Sequence, residues 1–128
     1  MSTSAYATVL AWQDALSSGD TDTLLQLSSE GIEIAGDHGG AQGLAVLDRW
    51  ATETHTTMSP QRLFVGDDLV VSETVASGSV TPFDDVDTRT VAVAFRIVDD
   101  QVSSVFVHPD LASAFAATGL EDGDLVED

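Results

Sequence analysis

The chain has 128 residues, enough to bury roughly two-thirds of its unfolded surface around one core. It has no cysteine, which excludes disulfides, thiolate metal sites and cysteine nucleophiles. Twenty-two Asp and Glu side chains face four arginines and no lysine, giving a formal charge of −18, so nucleic acid and membrane are excluded as partners through a basic patch. The acids are spread along a chain that is 43% hydrophobic, which reads as a folded, salt-adapted surface and not as a disordered acidic tail or a dock for a basic partner. No run approaches the ~18 apolar residues of a spanning helix, and the protein is read as cytoplasmic.

In chain order, Ser4 is placed to cap a first helix with Ala5, Val9, Trp12 and Leu16 on one stripe and Gly19 as its stop. Asp20 or Asp22 caps a short second helix carrying Leu24, Leu25 and Leu27, and Ile32 and Ile34 alternate in a brief strand. Residues 36–40 read as a loop, and 42–56 as a third helix burying Leu44, Leu47, Ala51 and the Val46/Trp50 pair. After Pro60 the period becomes two, predicting strands over 61–65, 69–77, 90–98 and 102–107. Gly66-Asp67-Asp68 and Asp99-Asp100 are tight enough to make antiparallel hairpins, and 78–88 is a longer loop. Asp110 caps a last helix with Leu111, Ala114 and Phe115 inward and Gly119 as its stop. One domain over 1–120 with a frayed acidic tail over 121–128 is the expected organisation.

Helices first and a mostly antiparallel sheet last make an α+β chain. Trp12-Gln13-Asp14-Ala15-Leu16-Ser17-Ser18-Gly19-Asp20, followed by Leu24, Leu25 and Leu27, resembles the opening of nuclear transport factor 2-like (SnoaL-like) proteins, where the first helix ends in Gly-Asp. Residues 43–50 resemble their third helix and 95–102 their last hairpin, with Asp100 where a glycine is commoner. The resemblance covers residues 5–107. It implies a cystatin-like cone with a pocket between sheet and helices, and pairing as a homodimer through the outer sheet face.

Ketosteroid isomerases within that superfamily need a carboxylate base and acidic donors for an oxyanion. Carried over residue by residue, the tyrosine donor falls on Trp12, the catalytic aspartate on Gly36 and the second acidic donor on Val93. Asp37 reaches the base position only with a one-residue slip. A close isomerase identity is therefore rejected.

Two readings stand for each remaining candidate. Glu73 shares alternation with Leu69, Val71 and Val75, which makes it either a carboxylate inside the cone, tuned by burial, or an outer-face residue bridged to Arg62 or Arg96. His108 is an acid or base oriented by Asp110, or a strand-end side chain. His38 is a gate in a glycine-rich loop, or a turn residue. Trp12 and Trp50, with Phe95 and Phe106, form an aromatic wall for a flat ligand, or core. The histidines lack any paired spacing, so no metal and no cofactor are assigned. The leading expectation is a protein that holds a small apolar or aromatic molecule in the cone. The alternatives are an isomerase- or lyase-type enzyme with Glu73 or Asp37 as proton acceptor, and an interaction module whose cone is filled by its own side chains.

Overall fold

A computed structural model describes residues 5–36, 39–54, 57–78 and 87–125. Helix α1 (Ala5–Ser18) turns its stripe inward, burying Val9, Trp12, Gln13 and Leu16, and the chain leaves it at Gly19 with φ +75°. Ser4, its expected cap, lies outside the described residues. Asp20 caps α2 (Thr21–Gln26): its carboxylate accepts from the Thr23 N–H at 3.3 Å and the Thr23 hydroxyl at 2.7 Å. α3 (Leu44–Thr54) presents Leu47 and Trp50 to the same core.

Six strands form one sheet in the order β2-β1-β6-β5-β4-β3: β1 (Ser28–Gly36), β2 (Gly39–Gln42), β3 (Thr57–Gly66), β4 (Leu69–Gly78), β5 (Asp87–Val98) and β6 (Gln101–His108). All neighbours are antiparallel except β1 and β6, which run parallel. The loop expected over 36–40 is in part the edge strand β2, whose Gly40 and Ala41 pair with Ala35 and Ile34. Pro60 lies within edge strand β3, where a missing N–H costs no ladder bond on the open side. The register slips between Pro60 and Arg62, which lets Met58 and Leu63, an odd number of residues apart, both reach the core.

The three first helices cover one face of the sheet, where Val70, Ala76, Val93, Phe95, Val105 and Val107 meet Val9, Trp12, Leu16, Leu24, Leu47 and Trp50. The other face carries a second, smaller core. Asp110 caps α4 (Leu111–Thr118) by accepting from the Ser113 N–H at 2.8 Å, and Gly119 ends it with φ +81°. Ala114 and Phe115 pack on Phe64, Val71, Ala92 and Ala94, with the Phe64 and Phe115 rings edge to face at 5.0 Å.

Beyond α4 the described chain runs on to residue 125. A 3-10 turn (Asp122–Asp124) is closed by the Glu121 N–H donating to Asp124 at 2.9 Å, and Leu125 bridges to Phe64. Leu120 lies so close to Gly66 that a side chain there would collide with it. Among the described residues no helix is long and apolar enough to cross a membrane.

Candidate functional site

The inner face is built around two tryptophans from different helices. The ring centroids of Trp12 and Trp50 lie 6.4 Å apart, and Phe95 meets Trp12 edge-on at 5.4 Å. The Trp12 indole N–H donates to the Ser28 hydroxyl at 2.9 Å, which in turn donates to the Leu24 carbonyl at 2.8 Å. Trp12 and Phe95 are wholly closed to water and Trp50 is 2% exposed. Of the two readings of these side chains, the contacts are those of core packing: Trp12 meets both Trp50 and Phe95, and burying each ring removes about 150–250 Å² of surface from water.

Beside them lies a polar cluster that the sequence reading passed over. Gln13, buried, donates from Nε2 to Thr74 Oγ1 at 3.2 Å and accepts from the Ser72 hydroxyl at 3.2 Å, and both partners are buried on β4. The cluster is satisfied by its own members, as buried polar groups must be. Val93, where the resemblance sought an acidic donor, is buried in the same core.

Since Val70, Ser72, Thr74 and Ala76 face the helices, Glu73 faces the other way, which is the outer-face, Arg62-bridged reading of its two and not the one inside the cone. The outer face can be read in rows from the strand registers: His108, Ala92, Glu73 and Arg62 in one, Ala35, Phe106, Ala94 and Val71 in the next, Glu33, Ser104, Arg96 and Leu69 in the third. Arg62 grips Glu73 through two bonds, Nε to Oε1 at 2.7 Å and Nη2 to Oε2 at 3.0 Å, and its guanidinium lies 5.7 Å from the Phe64 ring centroid. The Arg62 hydrogen bonds hold the Glu73 carboxyl below its usual range, the reverse of the rise expected for an acid buried in the cone.

His108 and Glu73 flank Ala92, about 10 Å apart across β5 at the usual strand spacing, and Trp12 lies on the opposite face from both. The Asp110 carboxyl is held low chiefly by the Ser113 backbone N–H. His108 Nε2 is buried and has no hydrogen-bond partner among the described residues.

A groove of about 460 Å³ runs over this face between β1 and the end of α4. Ala94, Phe106 and Ala117 give it an apolar base, and Glu33, Ser104, Arg96 and Thr118 stand around it. Phe106 is 36% exposed, the ring least covered among the described aromatic residues. Arg96 lies 3.9 Å from Asp68. A second, shallower hollow along β1 and β2 shares Glu33 and Phe106 with the groove. Phe106 and His108 were anticipated as site residues, whereas Glu33 and Arg96 were not. Their signal was available in the register of an exposed sheet face, which depends on the parallel β1–β6 pairing. Asp37 and His38 lie outside the described residues.

No protein-family model and no curated protein matches the chain. Solved structures do. A nuclear transport factor 2-like protein of unknown function from Cytophaga hutchinsonii superposes with a TM-score of 0.74 at 13% identity, over 90% of this chain and 97% of that one. A Mycobacterium tuberculosis protein in complex with estradiol-17beta-hemisuccinate gives 0.67 at 15% identity, over 84% and 95%. A computationally designed 17-OHP binder gives 0.67 at 14% identity, over 84% and 92%. With three helices on one face of a curved, mostly antiparallel six-stranded sheet and a fourth on the other, the chain has the α+β nuclear transport factor 2-like, cystatin-like fold.

Proposed function

We propose that this domain binds a small molecule without turning it over, and that it does so in the groove on the outer sheet face and not between Trp12 and Trp50. One observation carries the reading: the groove has the volume and the apolar base with a few polar groups that ligand sites have, while the inner rings are closed to water. That one protein of this fold is solved in complex with estradiol-17beta-hemisuccinate and another is a designed 17-OHP binder supports small-molecule binding in general. The acidic surface belongs to the same proposal as an adaptation to high salt.

The reading predicts that a bulky substitution in the groove, Ala117→Trp, abolishes binding of apolar probes detected by amide NMR shifts at Ser104 and Phe106. Trp50→Phe, in the inner core, leaves that binding in place. Binding lost with Trp50→Phe and kept with Ala117→Trp would return the site to the cone. A second reading, pairing of two copies through the same strip, is favoured by the exposure of Phe106 and Val98, at 36% and 46%. It predicts a mass that doubles with concentration in light scattering and reverts in Phe106→Ser.

A further inference from the structure

We infer that the groove takes an organic ammonium: a protonated or quaternary amine carried on an apolar or aromatic body. This rests on the groove as the binding site and goes beyond it in naming the ligand class. Glu33 pairs with Ser104 and Ala35 with Phe106, so Glu33 and Phe106 are diagonal neighbours on one face, with Cβ atoms about 8 Å apart at the strand spacing and rise of a parallel pair. Both border the groove and the hollow beside it. A carboxylate and an open aromatic face at that separation offer an alkylammonium both of the contacts it favours, an ionic one and the negative face of a ring.

The apolar body then has a place to lie. Ala94 and Ala117, small residues on β5 and α4, leave the groove floor open beside the Phe106 ring. Of the four arginines Arg96 alone lines the groove, and its guanidinium is drawn toward Asp68, 3.9 Å away on the side of the β3–β4 turn. An anionic ligand meets Glu33 and a molecule of charge −18. A neutral one forgoes the ionic contact with Glu33. His108 also lines the groove, with its Nε2 buried. The ionic and ring contacts act at close range, which leaves them less affected than longer-range forces when salt shortens the Debye length to about 3 Å at 1 M.

The experiment compares phenylpropylamine, phenylpropanol and phenylpropanoate, which share one apolar body, by NMR titration at a fixed potassium chloride concentration. The amine is expected to shift the amides of Ser104, Phe106 and Ala117 and to bind about three- to tenfold more tightly than the alcohol, with the carboxylate weakest. Glu33→Gln, at an exposed position, should erase that preference and leave the alcohol unchanged, and Phe106→Leu should reduce it in part. Equal binding of amine and alcohol, unaltered by Glu33→Gln, would overturn the ligand class while leaving the groove as a site. No shift at those amides with any of the three at millimolar concentration would remove the groove itself. Shifts at Phe106 that follow protein concentration, and not probe, would assign the face to a second copy and overturn both.

Discussion

At the scale of single residues, Glu73 and Gln13 exchange the roles their chemistry suggests. Glu73, the ionisable residue, is on the outer face and its carboxyl is held below its ordinary value of 4.5 by Arg62. A depressed folded value means that the ion pair contributes fully above about pH 4.5 and is lost as the pH falls through the lower folded value. The stability difference between the wild type and Glu73→Gln should therefore be largest near neutrality and shrink toward zero in acid. Denaturant titrations in about 1 M potassium chloride, where the change of net charge is screened, would measure it. A difference that persists unchanged at the lowest pH would mean that the pair does nothing. Gln13 is the converse, an uncharged residue on which the inner core depends. Gln13→Leu keeps the volume but strands the Ser72 and Thr74 hydroxyls in a closed core, at about 1–3 kcal/mol. Most of that cost should vanish when Ser72→Ala and Thr74→Val are present too, measured as a cycle in urea. An undiminished cost would place it in packing and not in the hydrogen bonds.

Elements were legible where one face differs from the other, and illegible where both faces are alike. α1 showed its stripe in sequence because Ala7, Ala11 and Asp14 face water opposite Val9, Trp12 and Leu16. β4 did not. Val70 and Ala76 lie under the first helices while Val71 lies under α4, so alternation gives two partly apolar faces and no rule for choosing between them. The tie is broken by Ser72 and Thr74, which point inward only because Gln13 answers them. Gln13 lies four residues after Val9 and three before Leu16, on the buried stripe, and that spacing was the available clue. β2 was hidden for another reason: Gly39 and Gly40 have no strand preference, and pairing with β1 alone makes them one. The outer groove depends on the β1–β6 parallel contact between segments far apart in sequence, which no local pattern encodes. The turns were read correctly and carry a testable cost. Asp99 and Asp100 both have positive φ, +53° and +63°, a region where side chains are strained and glycine is not. Asp100→Gly should gain about 0.5 kcal/mol, the relief of αL strain less the entropy glycine adds to the unfolded chain, seen as a small rise in Tm. A fall in Tm would show that the aspartate contributes something the turn geometry does not reveal.

For the whole molecule the governing quantity is the charge of −18, and the fold does little to neutralise it. Arg62 is committed to Glu73 and Arg96 lies beside Asp68, so those cations answer particular neighbours and leave the wider surface acidic. Asp14, Asp22 and Glu30 stand exposed on α1, α2 and β1, open to screening by dissolved salt. At 0.15 M the Debye length is about 8 Å and like charges on adjacent elements still repel; at 1 M it is about 3 Å and they largely do not. Folding gathers the acids, unfolding separates them, and so added salt should favour the folded chain. Tm is expected to climb steeply from low to molar potassium chloride. Salt also strengthens apolar burial, so a rise alone would not identify screening. A variant with Asp14→Asn, Asp22→Asn and Glu30→Gln separates the two, because it leaves the buried surface untouched and removes part of the repulsion. That variant should be more stable than the wild type at low salt and should gain less from added potassium chloride, the two curves converging near 1 M. Parallel curves would assign the salt effect to apolar burial, and a flat wild-type curve would end the reading of this surface as salt-adapted.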